Sequence, residues 1–264
     1  MNIELLKKPF RKIGADVMEG GFVRPRWGRP ESGVYRIDVR DGIFQIAARE
    51  DVVIKVVDLK TNERHLLLNV TETTTRQKHK FLLGFDERDW FVAAVPEKYT
   101  WVKNVTDAKN VLKPLAVTMA ERQLHKASKN IRKNKAWVRQ GEWFFIPDTT
   151  LEVTANLIRK NEAISRGNGS KPHIVDEIYR ERGEVVYVSA KYPAGISEAH
   201  YRKLISQKPA KRMEFRIMMK NSNVYAKGCV RHADHATIFL DGWHRVLMNT
   251  EAEAKSRTNL AFLD

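Results

Sequence analysis

The stretch "CVRHADHATIFLDGWHR", residues 229–245, holds the only cysteine of the chain and three of its eight histidines. Cys229, His232 and His235 are soft or borderline metal donors, and a cysteine two residues short of a histidine can share a zinc ion with it across a tight turn. His244 offers a fourth ligand, but Asp241-Gly242 predicts a hairpin turn between it and the rest. Strand geometry then puts His235 about four residues along the opposite strand, roughly 13 Å away at about 3.3 Å per residue. The expected zinc set is therefore Cys229, His232 and His235, completed by a distant carboxylate or by His173.

The same run suits a second chemistry. His232, His235 and His244 can divide base and acid work in phosphodiester cleavage, because an imidazole pKa near 6.5 serves both roles. Arg245 would hold the phosphate with its planar fork, and Asp234 lies among them. The bland alternative is a set of histidines at strand ends, which requires no ligand.

Charge supplies the partner. Lys plus Arg total 47 against 32 Asp plus Glu, a net of +15 and a pI near 9.9, so polyanions are the natural partners of this chain. From Thr106 to Trp143 there are nine basic and three acidic residues, and between Arg122 and Arg139 no acid occurs. Arg122, Lys126, Lys129, Arg132, Lys133, Lys135 and Arg139 form the expected phosphate-contacting set, with Trp137 beside them to stack a base. Lys171, in the glycine-rich "SRGNGSKP", adds an anion contact beside the backbone amides of Gly167 to Ser170. "RPRWGRP", residues 24–30, reads as a second basic arm. "GFDERDWF" gathers Asp86, Glu87 and Asp89, whose composition is that of a hairpin turn and also of a magnesium site.

The elements that must position these groups are legible in part. "GVYRIDV" and "IFQIAA" flank Asp41-Gly42 and predict a hairpin, and four further strand-like runs follow before Pro96. Thr106 or Asp107 should cap a helix that Pro114 divides, and Thr118 with Glu121 fits the start of a second, strongly basic helix. "KAWVRQGEWFFIP" predicts two short strands about Gln140-Gly141. "TTLEVTANLIRKNEA" reads as helix-like. "PHIVDEIYRERG" predicts a helix opened by Pro172 and closed by Gly183, with His173, Asp176 and Glu177 on one face. "EVVYVSAKY" reads as a strand, and "ISEAHYRKLI" as a helix opened by Ser197. "MEFRIMMK" and "VYAKGCV" predict a hairpin about Asn221-Ser222-Asn223.

The fold class that follows is α+β: an antiparallel β-rich N-terminal half curled into a sandwich or partial barrel, a basic helical segment, then a mixed α+β half ending in antiparallel hairpins. The division falls at residues 1–105 and 106–264, as two domains or one continuous unit. A single cysteine cannot close an intramolecular disulfide, and no apolar run approaches the roughly 18 residues that cross a bilayer. Neither a membrane partner nor a signal peptide is expected, and the location read from this is cytoplasmic. The leading function is nucleic-acid binding, RNA or DNA, through the Lys/Arg-rich segment. The alternatives are a phosphodiesterase or nuclease using the histidine cluster, with or without metal, and a basic subunit of a larger protein assembly.

Overall fold

The computed structural model describes residues 3–22, 33–166, 171–207, 214–220 and 222–255. Residues 24–30 and the glycine-rich 167–170 lie outside them, so the basic arm and the amide concavity of the sequence reading do too.

The first half is built of strands, as the alternation predicts. Helix α1 (Glu4–Lys12) precedes β1 (Asp16–Glu19), and β2 (Tyr35–Arg40) and β3 (Ile43–Ala48) follow. Arg40 pairs with Ile43 across Asp41 and Gly42, both at positive φ, which gives the tight turn that an Asp-Gly pair favours. β1 runs parallel to β3, and the remaining registered strand pairs are antiparallel. β4 (Val52–Lys60), β5 (His65–Glu72), β6 (Lys78–Asp86) and β7 (Asp89–Val95) form a meander. Alternation decides its two faces. Leu66, Leu68, Val70, Phe81 and Leu83 meet Phe10, Tyr35, Ile37, Phe44 and Ile46 in one core, a sandwich arrangement. Leu67, Leu82, Ala93 and Val95 point the other way, onto Val105, Ala108 and Val111 of α2 (Val105–Leu112).

α2 begins earlier than the sequence suggests. Asn104, not Thr106 or Asp107, is the cap, its side chain accepting the Asp107 N–H at 2.8 Å. Pro114 separates α2 from α3 (Leu115–Ala120), the division its ring predicts. The basic helix does not form. α3 holds Thr118 in its interior and ends at Glu121, and the chain to Trp137 then contains one 3-10 turn, Lys126–Ser128. Three physical reasons are visible. The cationic run has no acid at i±4 to support a helix. Glu121 leaves the helix to meet Lys113. Asn134 Oδ1 accepts the Ala136 and Trp137 N–H groups, a side-chain competitor for helical bonds.

The second half centres on a six-stranded antiparallel sheet, in the order β10, β11, β15, β16, β9, β8. Its strands are β8 (Val138–Gln140), β9 (Trp143–Pro147), β10 (Arg159–Ile164), β11 (His173–Glu181), β15 (Asn223–Arg231) and β16 (Ile238–Met248). β12 (Glu184–Ser189), β13 (Tyr192–Ser197) and β14 (Arg216–Lys220) make a small sheet carrying α4 (Glu198–Ser206), which Ser197 caps through the His200 N–H as expected.

Several local expectations yield to strand pairing. "PHIVDEIYRERG" is β11 rather than a helix, because Val175 and Ile178 are required in the sheet core; Gly183 serves a turn with Arg182, both at positive φ. "TTLEVTANLIRKNEA" is one 3-10 turn, Ala155–Leu157, followed by β10. β14 and β15 do not pair with each other: β14 lies on β12, and β15 lies between β11 and β16. Asp241-Gly242 makes no turn. β16 runs through it without a break, and the register against β15 shifts between Ala226 and Gly228 to absorb the extra residues. The true connection of β15 to β16 is therefore the loop of residues 232–237, which carries His232, Asp234 and His235. Among the described residues no helix is long and apolar enough to cross a membrane.

Candidate functional site

Register brings the site together. β11 runs antiparallel to β15 with Ile174 opposite Arg231, so His173 at the start of β11 falls beside His232, the first residue after β15. The loop then turns back and returns His235 over the same spot. The rings of His173 and His232 stack at 4.1 Å between centroids, those of His232 and His235 at 4.7 Å, and those of His173 and His235 at 5.7 Å. One donor nitrogen from each lies within 4.8 Å of the others, the one such group of three or more His, Cys, Asp or Glu residues among the described residues.

His173 is 1% exposed, and neither of its ring nitrogens has a hydrogen-bond partner. Buried polar atoms are usually satisfied, so two on one ring mark a place built for something else. His232 is more engaged: its Nδ1 accepts the Asp234 N–H at 3.1 Å, and its Nε2 lies 3.3 Å from the Lys171 carbonyl oxygen. His235 Nδ1 lies 3.7 Å from Glu87 Oε1, and its other nitrogen points at Gly141.

Distant elements hold this arrangement. Gly141 turns β8 into β9 at φ +55°, and a Cβ there would stand 2.7 Å from His235 Nε2 and 3.3 Å from His173 Nε2. Gln140, fully buried, donates from Nε2 to the carbonyls of Val230 at 3.1 Å and Ala236 at 2.7 Å, pinning both ends of the histidine loop. The β6–β7 turn reaches over from the first half. Glu87 accepts the Ala236 N–H and pairs with Arg132, while Asp86 receives a two-pronged contact from Arg139 at 2.8 and 3.1 Å. Burial by itself would raise the Asp86 carboxyl, but the Arg139 guanidinium outweighs it and holds the pKa below the usual range.

These groups border a cleft of about 1060 Å³ between the β6–β7 side and the six-stranded sheet, with Arg132, Arg139, Lys171, Asp86, His232 and His235 on its wall. Ala127, Asn130 and Ile131 line it as well, so the former "basic helix" is one side of the cleft.

The predicted residues separate accordingly. His232 and His235 meet, and His173 joins them. Cys229 does not belong to the group: it lies half-buried in β15, its N–H donating to Asp176 at 2.7 Å. His244 is buried within β16 opposite Ala226, its Nδ1 2.8 Å from the Gly242 carbonyl oxygen, and Arg245 points to Asn223. Trp137 cannot stack a base, because it is 2% exposed and packs on Phe144. Arg132 and Arg139 are matched to Asp86 and Glu87, and Lys171 to Asp234, whereas Arg122, Lys126, Lys133 and Lys135 are exposed. Lys129 is half-buried and donates to the Arg122 carbonyl. The sequence reading gave no role to Gln140 or Gly141; a glycine at a strand turn was the only signal available.

Burial, followed by the neighbouring His232, pushes His173 down to about 3 and His235 down to about 4. In the first half burial and then Lys109 push His65 down to about 4. These groups stay neutral in the fold at a pH where the unfolded chain, with histidine near 6.5, binds protons. Stability therefore rises with pH and is lost as pH falls from about 6.5 towards 4. Glu63, raised by burial but held at about 2 by Lys109 and Lys60, adds its own loss as pH falls from 4.5 towards 2. The thermal midpoint should drop by at least about 5 °C between pH 7 and pH 5, at roughly 2–4 °C per kcal/mol for a chain of this size. His235→Asn should make that slope shallower; a midpoint unchanged over the interval would contradict the assignment.

Comparison with known protein families, curated proteins and solved structures finds no match. The chemistry of the cleft must speak for itself.

Proposed function

We propose that the protein is a hydrolase of nucleic-acid phosphodiesters, with the strand bound along the cleft and the His173, His232 and His235 cluster as the reacting centre. The observation that carries the reading is the position of that cluster: His232 and His235 stand on the wall of a cleft that Arg132 and Arg139 also line, and His173, with both nitrogens unpartnered, is buried directly against them. Arg132 and Arg139 are held rigid by Asp86 and Glu87, so their remaining N–H groups are preorganised for phosphate oxygens. The exposed Arg122, Lys126, Lys133 and Lys135 belong to the segment that lines the cleft through Ala127, Asn130 and Ile131, and add attraction that carries no sequence preference.

The reaction needs one water. Its oxygen bonds to phosphorus and one of its protons passes to solvent by way of the histidine cluster. The P–O bond to the departing strand breaks with its electron pair on the ester oxygen, which takes a proton from solvent.

The test uses end-labelled RNA and DNA with the full chain. Cleavage should fall at least ~100-fold in His235→Ala, in line with losing a positioned catalytic group, and should be unaffected in His244→Ala. Reversing Arg122, Lys133 and Lys135 to Glu should weaken binding and flatten the plot of log affinity against log salt, each lost phosphate contact removing about 0.9 from a duplex slope. Full cleavage by His235→Ala, or an unchanged salt slope in the triple variant, would refute the reading.

A further inference from the structure

The three histidines call for an electrophile. Two nitrogens of a ring 1% exposed have no donor or acceptor, His235 Nδ1 is likewise buried without one, and one nitrogen from each of the three rings lies within 4.8 Å of the others. Among the described residues no carboxylate joins this trio; Glu87 stands behind His235, on its Nδ1 side. At 3.7 Å Glu87 Oε1 is a small movement short of a hydrogen bond to that Nδ1, the contact by which a carboxylate behind a ligating histidine fixes its tautomer and raises its basicity.

We propose that His173, His232 and His235 bind one zinc ion, with the fourth coordination position open to the cleft and Glu87 orienting His235. This deepens the hydrolase reading and rests on it for what the open position does, though not for the binding itself. Three imidazoles with one free position are the ligand set of a catalytic zinc, whereas structural sites are closed by four protein ligands.

Geometry says how the site closes. Zinc–nitrogen bonds of about 2.0–2.1 Å in a tetrahedron place ligand nitrogens ~3.4 Å apart, and the three nitrogens already lie within 4.8 Å of one another. The rings now stack within 24–27° of parallel, so ligation turns them about χ2 until their lone pairs converge. His232 Nε2 exchanges its long contact to the Lys171 carbonyl for the metal; the ring proton then sits on Nδ1, which gives up the Asp234 N–H it now accepts and becomes a donor. Gly141 leaves open the space facing the Nε2 atoms of His173 and His235, which any side chain would fill. Cys229, the ligand expected from spacing, lies half-buried in β15 and is not one of the three residues whose donor atoms come together. Zinc would lower the pKa of a bound water to about 7 and supply the attacking hydroxide.

The full chain, stripped with chelator, is titrated with zinc chloride; the readouts are zinc per chain by elemental analysis, the visible spectrum after cobalt substitution, and the thermal midpoint. One zinc per chain, a tetrahedral cobalt spectrum and a raised midpoint are expected. His232→Ala and His235→Ala, both in the loop, should lose the ion, and His173→Leu, which keeps an apolar strand residue, should lose it while retaining the native circular dichroism spectrum. Cys229→Ser and His244→Ala should keep it. Glu87→Gln should weaken binding by about 10–100-fold, the usual effect of an outer-shell partner. Zinc absent from the native chain, or retained by all three histidine variants, overturns the site. Cleavage that persists in zinc-free protein overturns the zinc but leaves the hydrolase; stoichiometric zinc without cleavage of RNA or DNA leaves the site and overturns the hydrolase.

Discussion

Glu121→Ala is expected to destabilise the protein by about 3–5 kcal/mol, the usual result of removing one partner from a buried ion pair. Lys113 Nζ donates to both Glu121 oxygens, at 2.8 and 3.0 Å, and to the Lys129 carbonyl at 2.6 Å. Trp137 Nε1 donates to the same carboxylate at 3.0 Å. The paired side chains are only 4% and 5% exposed. Without Glu121 the ammonium keeps a single carbonyl partner in a site whose burial already lowers its pKa, and the indole N–H loses its acceptor. At roughly 2–4 °C per kcal/mol the thermal midpoint should fall by about 10 °C. The control is Glu253→Ala. Its pair with Lys98 is more than half exposed on the lysine side and screened by water, so no measurable change is expected. Equal losses from the two variants would show that burial is not what makes the Lys113–Glu121 pair matter. The consequence reaches the cleft, since this pair closes the segment whose Ala127, Asn130 and Ile131 form its wall.

Gly141→Ala should separate activity from stability. A left-handed backbone costs an ordinary residue about 1–2 kcal/mol, and Gly141 has φ +55°. The larger effect is local. The new methyl would stand 2.7 Å from His235 Nε2, closer than a real Cβ contact, and the ring at the end of a loop side chain must swing away. Displacing one reacting group by about 1 Å can cost ~100-fold in rate, so cleavage should fall by two orders of magnitude while the midpoint drops only a few degrees. Circular dichroism, cleavage rate and zinc content measured on the same preparation distinguish the outcomes. Unaltered cleavage would mean that the space in front of the two Nε2 atoms is not where the reaction occurs.

Much of the first half was legible because its signals are local. Alternating Leu66, Leu67 and Leu68, or the Asp41-Gly42 pair, act within a few residues, and the sheet follows from period-two patterning. The same kind of signal misled where tertiary pairing outweighed it. Pro172 and Gly183 are good helix ends, yet β15 on one side and β10 on the other require an extended β11. Asp241-Gly242 is a good turn, yet β9 and β15 flank a β16 that runs through it.

By itself the sequence determined the antiparallel β-rich class, the net positive charge and the residue types able to do chemistry, since composition and period-two patterning belong to the chain before it folds. Only the tertiary structure decided which of those residues meet. His173 joins His232 because Ile174 pairs with Arg231, and Asp86 and Glu87 become partners of Arg139 and Arg132 because the β6–β7 turn faces the six-stranded sheet. Contacts between residues far apart in the chain depend on strand register and the approach of two sheets, quantities that no short window of sequence contains.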